Sequence, residues 1–108
     1  MDQRQVVDVI VRPEYVVGYE QWDDVTLGHC RVTSWTPKVA RQFRADMDTA
    51  MALLGREVYA LENPEYPNQV KFLLTNGFQP CGHVLNAAGR EVAIFVRTLH
   101  GQSFRRWF

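Results

Sequence analysis

The stretch Asn68-Gln69-Val70-Lys71-Phe72-Leu73-Leu74-Thr75-Asn76-Gly77-Phe78 predicts a short helix. Asn68 is placed to cap it, residues Gln69 to Asn76 form it, and Gly77 stops it. On its N-terminal side stand a short apolar run, Glu57 to Leu61, that reads as a buried strand, and a loop, Asn63-Pro64-Glu65-Tyr66-Pro67. On its C-terminal side, Phe78 to Leu85, a turn at Asn86-Ala87-Ala88-Gly89, and Glu91 to Leu99 read as a closing hairpin. There Val92, Ile94 and Val96 share one face and Ala93, Phe95 and Arg97 the other.

Further upstream lies the clearest element of the chain. Thr36 is an N-cap, Pro37 occupies the first helical position, and Val39, Phe43, Met47, Ala50, Met51 and Leu54 recur at helical spacing before Gly55. The β-branched run Val6 to Val11 ends at Arg12-Pro13, a second strand follows at Tyr15 to Tyr19, and a turn at Gln21 to Asp24 leads into a third over Val25 to Thr33. The element order is therefore β-β-β-α-β-α-β-β. The expected fold class is α/β in the broad sense (α+β), a mostly antiparallel sheet of about six strands with two helices. Residues 1–100 read as one domain and residues 101–108 as a separate tail.

Composition bounds the function. With 108 residues, 46% of them hydrophobic and 22% charged, the chain can bury one core without staples. Twelve Lys and Arg balance twelve Asp and Glu, so no bulk positive field draws it to nucleic acid. No apolar run reaches the ~20 residues of a membrane span, and the N-terminal residues do not resemble a secretory signal, so membrane insertion and secretion are not expected. Two cysteines, Cys30 and Cys81, are too few for a disulfide scaffold.

The Asn68 to Phe78 segment, after a strand and loop and before a terminal hairpin, resembles the C-terminal half of GNAT-type N-acetyltransferases over about residues 30–99. It also looks like the small GNAT-like internal virion proteins of short-tailed bacteriophages. The first resemblance implies acetyl-CoA as cofactor, held on a glycine-rich loop that opens the long helix, and a tyrosine general acid four residues before the glycine of the Gly-Phe pair. Three departures stand against that chemistry. The loop region is Thr33-Ser34-Trp35-Thr36-Pro37-Lys38-Val39-Ala40-Arg41, with no glycine and with a proline that deletes a donor. The general-acid position is Leu73, which has no proton to give. The family's first strand and first two helices, which build the acceptor side, have no counterpart.

Several residue groups carry competing readings. Lys38, Arg41 and Arg44 stand in the first turns of the long helix, where cations oppose the helix dipole. They are either an anion site or a solvated face balanced by Asp46 and Asp48. His29-Cys30 cannot both turn to one ion on a strand, whereas Cys81 and His83, two residues apart, can. Nothing marks an oxyanion hole or an orienting carboxylate beside either cysteine, so both read as buried or half-buried packing residues and no metal or catalytic residue is assigned. The tail residues Phe104, Arg105, Arg106, Trp107 and Phe108 are of the types that dominate interface hot spots. They either dock into a partner or fold back over a sheet edge.

The expectation is a non-catalytic GNAT-like accessory protein of a phage, without cofactor, located in the virion or host cytoplasm. It would act through protein contact with virion or host proteins or in an oligomer. The alternative is a minimal acyl-CoA-dependent N-acetyltransferase, its cofactor held near Lys38 and Arg41.

Overall fold

A computed structural model describes residues 5–99 and 106–107. The elements are β1 (Val6–Val11), β2 (Tyr15–Trp22), β3 (Val25–Val32), α1 (Pro37–Leu54), β4 (Val58–Leu61), α2 (Gln69–Thr75), β5 (Phe78–Leu85) and β6 (Glu91–Arg97). They follow the expected order. The strands form one six-stranded sheet in the order β1-β2-β3-β4-β6-β5. All pairs are antiparallel except β3 with β4, which α1 joins as a crossover, so the sheet is mixed.

Helix α1 begins and ends as its sequence demands. The Thr36 hydroxyl accepts the Val39 amide at 3.2 Å, Pro37 follows, and Gly55 closes the helix at φ 78°, donating its amide to the Met51 carbonyl. Val39, Phe43, Met47 and Met51 form its buried stripe. They pack with Leu73 of α2 on Tyr15 and Val17 of β2, Val58 and Ala60 of β4, Phe78 of β5 and Phe95 of β6. Both helices therefore cover the same face of the sheet.

The opposite face carries a smaller cluster of Tyr59, Cys81, Ile94 and Val96, with Val25, Leu27, Leu61, Val84 and Trp107 packed against it. Strands β4 and β6 are thus buried on both sides, which is why they read as near-continuous apolar runs.

One expected cap is absent. Asn68 sits in the right-handed helical region at φ −93°, ψ −1°, and its side chain makes no cap bond. A capping residue needs extended backbone, and the turn Tyr66 to Gln69, closed by a Gln69 amide to Tyr66 carbonyl bond, does not allow it. The start of α2 is held by Gln69 instead. Its Nε2 donates to the Leu61 carbonyl at 3.0 Å and its Oε1 accepts the Asn63 amide at 2.6 Å.

Candidate functional site

The first turn of α1 is the place where a helix end could hold an anion. Pro37 contributes no amide, Val39 donates to the Thr36 hydroxyl, and Ala40 donates to the Thr36 carbonyl at 2.8 Å. That leaves the Lys38 amide as the one first-turn donor without a partner among the described residues. Lys38 and Arg41 are exposed, and neither makes an ion pair among the described residues.

The balancing carboxylates expected from sequence are engaged elsewhere. Asp46 takes the Arg12 guanidinium through two bonds of 2.9 Å and the Tyr15 hydroxyl at 2.6 Å. Asp48 accepts from Arg97 at 2.8 Å. Lys38 and Arg41 are exposed, as a solvated face would be, but the balance expected from Asp46 and Asp48 is corrected: Asp46 is taken by Arg12 and Tyr15 and Asp48 by Arg97.

Beside this helix end, β3 and β4 are only briefly paired. They share a single registered pair, Leu27 with Tyr59, after which β3 continues to Val32 and β4 to Leu61 without further pairing. Aromatic rings join the two helices. The Trp35 centroid lies 5.5 Å from Phe43 of α1 and 5.0 Å from Phe72 of α2, and Phe43 and Phe72 are 5.4 Å apart. Leu73, at the general-acid position implied by the resemblance, is 5% exposed and packs in the helix-side core.

The cysteine and histidine residues do not converge. His29 and Cys30 lie on β3, Cys81 and His83 on β5, and two strands separate them, about 14 Å at the usual strand spacing. Register shifts between Pro80 and Gly82 make Cys81 a bulge. Cys81 therefore points into the cluster with Ile94, while His83 pairs with Ala93, which packs toward the helices. The expectation that Cys81 and His83 can turn to one ion is corrected by this bulge. No group of three or more potential metal ligands occurs among the described residues.

Cys81 is buried, and burial raises its thiol against an opposing pull from Arg106. Cys30 is exposed, contrary to the packing role expected of it, although the protein mass beneath it pushes its thiol up to about 11.

Of the tail, Phe104, Arg105 and Phe108 lie outside the described residues. Trp107 folds back on the edge of β5. Its amide donates to the Cys81 carbonyl at 2.6 Å, its carbonyl accepts the His83 amide at 3.1 Å, and its ring meets Tyr59 edge-on at 6.1 Å. Arg106 and Trp107 line a shallow cavity of about 260 Å³ with Cys81, Gly82 and His83.

Sequence reasoning passed over Arg97 and the Arg12-Asp46-Tyr15 cluster. An arginine within a strand buried on both faces is the signal that could have exposed the first. The second yields a pH prediction. The Arg12 hydrogen bond, aided by Tyr15 and opposed by burial, holds the Asp46 carboxyl below its ordinary value. A depressed carboxylate contributes stability above its unfolded value, about 3.9, and loses it as pH falls through the native value. Urea unfolding of Asp46→Asn is expected to show a smaller stability difference between about pH 6 and pH 3 than the parent chain. An equal difference in both proteins would remove Asp46 from the acid limb.

No family model matches the chain, and no curated protein matches it. Solved structures do. Those of AAC(6')-Ib, a GNAT acetyltransferase, with ribostamycin and coenzyme A and with paromomycin and acetyl-CoA, each superpose with a TM-score of 0.60 at 12% identity over 81% of this chain. The chain spans 58% and 59% of their lengths, respectively. With its β3-α1-β4 crossover, briefly paired parallel strands and closing hairpin, the chain has a GNAT-like fold.

Proposed function

We propose that this chain uses the GNAT-like fold as a non-catalytic scaffold that acts through protein contact. The observation that carries the reading is the first turn of α1. Thr36 satisfies its donors internally and Pro37 deletes one, so a single amide is left where a pyrophosphate would need several. The buried Leu73 adds to it, since an aliphatic side chain cannot protonate a leaving thiolate. Function follows the site rather than the fold, and this site lacks the parts for acyl transfer. The setting we propose is an accessory of a phage virion or of its host interaction, in keeping with the resemblance to small GNAT-like virion proteins.

A second reading is favoured by two specific observations. Lys38 and Arg41 have no ion-pair partner among the described residues, and both matched structures of AAC(6')-Ib hold coenzyme A or acetyl-CoA. In that reading the two cations take over from the missing glycine loop and the chain is an acyl-CoA-binding N-acetyltransferase. Calorimetric titration with acetyl-CoA separates the two. No heat at millimolar ligand is the expected result. Micromolar binding that Arg41→Ala abolishes would overturn the scaffold reading and place the pyrophosphate at the start of α1.

A further inference from the structure

Strand β1 closes one side of the sheet, and among the described residues its outer backbone edge has no partner. Its side chains are apolar on both faces. Val6 and Val11 pair with Glu20 and Val16 on the face away from the helices, whereas Val7 and Ile10 pair with Tyr19 and Val17 on the helix side. Val7 is 60% exposed and Val11 71%, with Val6 and Val9 also exposed. A strand that ends a sheet in water ordinarily shows polar side chains on its open face and charges along its edge. Here the single charge is Asp8, and its carboxylate leans back over Gly18 of β2, within 3.4 Å of where a Cβ would stand, which clears the edge.

We propose that β1 is an interface for a second copy of this chain, the two β1 strands pairing antiparallel about a two-fold axis. An unpaired backbone edge calls for another strand, and the valines on both faces call for a strand apolar on both faces. β1 itself meets both conditions in one register. With Val6 opposite Val11 of the second copy, Val7 falls opposite Ile10 and the two bulged segments at Asp8 and Val9 face one another. Residues brought opposite in this register lie on the same face of the sheet, because the bulge between Asp8 and Ile10 shifts the alternation once in each copy. Formal net charge is zero, so no long-range repulsion opposes the approach of two copies, while the register brings the two Asp8 carboxylates near the axis, each drawn back over Gly18 of its own β2. The interface is isologous and closes at two, giving one continuous sheet through both copies. It is independent of whether the chain binds acyl-CoA.

The test is sedimentation equilibrium of the full chain beside Val7→Lys, whose side chain is exposed enough to accept the charge, with circular dichroism to confirm that the variant is folded. A dimer in the parent and a monomer in the variant is expected. A parent that stays monomeric well above micromolar concentration overturns the proposal, as does a dimer that Val7→Lys leaves intact. Register is read separately. In a Cys30→Ser background, the double variant Val6→Cys, Val11→Cys is expected to form an intermolecular disulfide under mild oxidation. Failure to do so would exclude this strand pairing even where Val7→Lys disrupts the dimer.

Discussion

Replacing Arg97 by alanine is expected to cost about 3 kcal/mol or more in urea unfolding, one of the two largest single-residue effects in the molecule. Arg97 is 6% exposed at the end of β6. Its Nε donates to the Asn76 carbonyl at 2.9 Å, its Nη1 to Asp48 at 2.8 Å and to the Met51 sulfur at 3.4 Å, and its Nη2 to the Arg44 carbonyl at 3.4 Å. One guanidinium thus ties the end of α2 and the middle of α1 to the sheet. The ion pair itself contributes little of this, since the Asp48 side chain is 65% exposed and screened by water. The cost comes from the cavity and from the Asn76 carbonyl, which loses its buried donor. Arg97→Met separates the two contributions. It refills most of the volume without a donor, so its loss is expected to fall between those of the parent and the alanine variant. A loss for Arg97→Ala within experimental error of zero would remove the hub role.

The second large effect is expected at Gly82. Its φ is 134°, a conformation that side chains rarely adopt. A Cβ there would stand 1.2 Å from the Trp107 carbonyl oxygen, which is backbone and cannot swing aside. Gly82→Ala should therefore expel the C-terminal segment from β5. Two backbone hydrogen bonds and the packing of Trp107 on Tyr59 go with it, about 3 kcal/mol together with the backbone strain. The distinguishing readout is amide exchange. The His83 amide, which donates to the Trp107 carbonyl, should lose its protection while the amides of β4 and β6 keep theirs. Unchanged protection at His83 would show that the segment does not depend on the glycine.

These two residues mark how far the sequence could be read. Elements set by neighbours in the chain were legible. Thr36, Pro37 and Gly55 delimit α1, Gly77 at φ 90° follows α2, and the Asn86 carboxamide oxygen accepts the Ala88 and Arg90 amides to make the hairpin turn. Alternation along β6 placed Ala93, Phe95 and Arg97 on the helix side and Ile94 and Val96 on the other, because strand periodicity is a local property. Of the candidate site, the substitution at Leu73 and the glycine-free entry to α1 were equally visible. That Thr36 takes the Val39 amide followed from the cap.

What the sequence by itself determined is the order of the elements, the ends of α1, the faces of its regular strands, the glycine-free entry to α1 and an aliphatic residue at position 73. Only the tertiary structure decided which charges pair. Asp46 is claimed by Arg12 from 34 residues away and Asp48 by Arg97 from 49, leaving Lys38 and Arg41 without the partners that stand near them in the chain. It also decided that Cys81 and His83 part company at a bulge and that Trp107 lies on β5. Caps, turns and alternation are set by contacts a few residues apart. A bulge, a buried guanidinium and a returning terminus depend on which strands become neighbours, and that is settled by burial across the whole sheet.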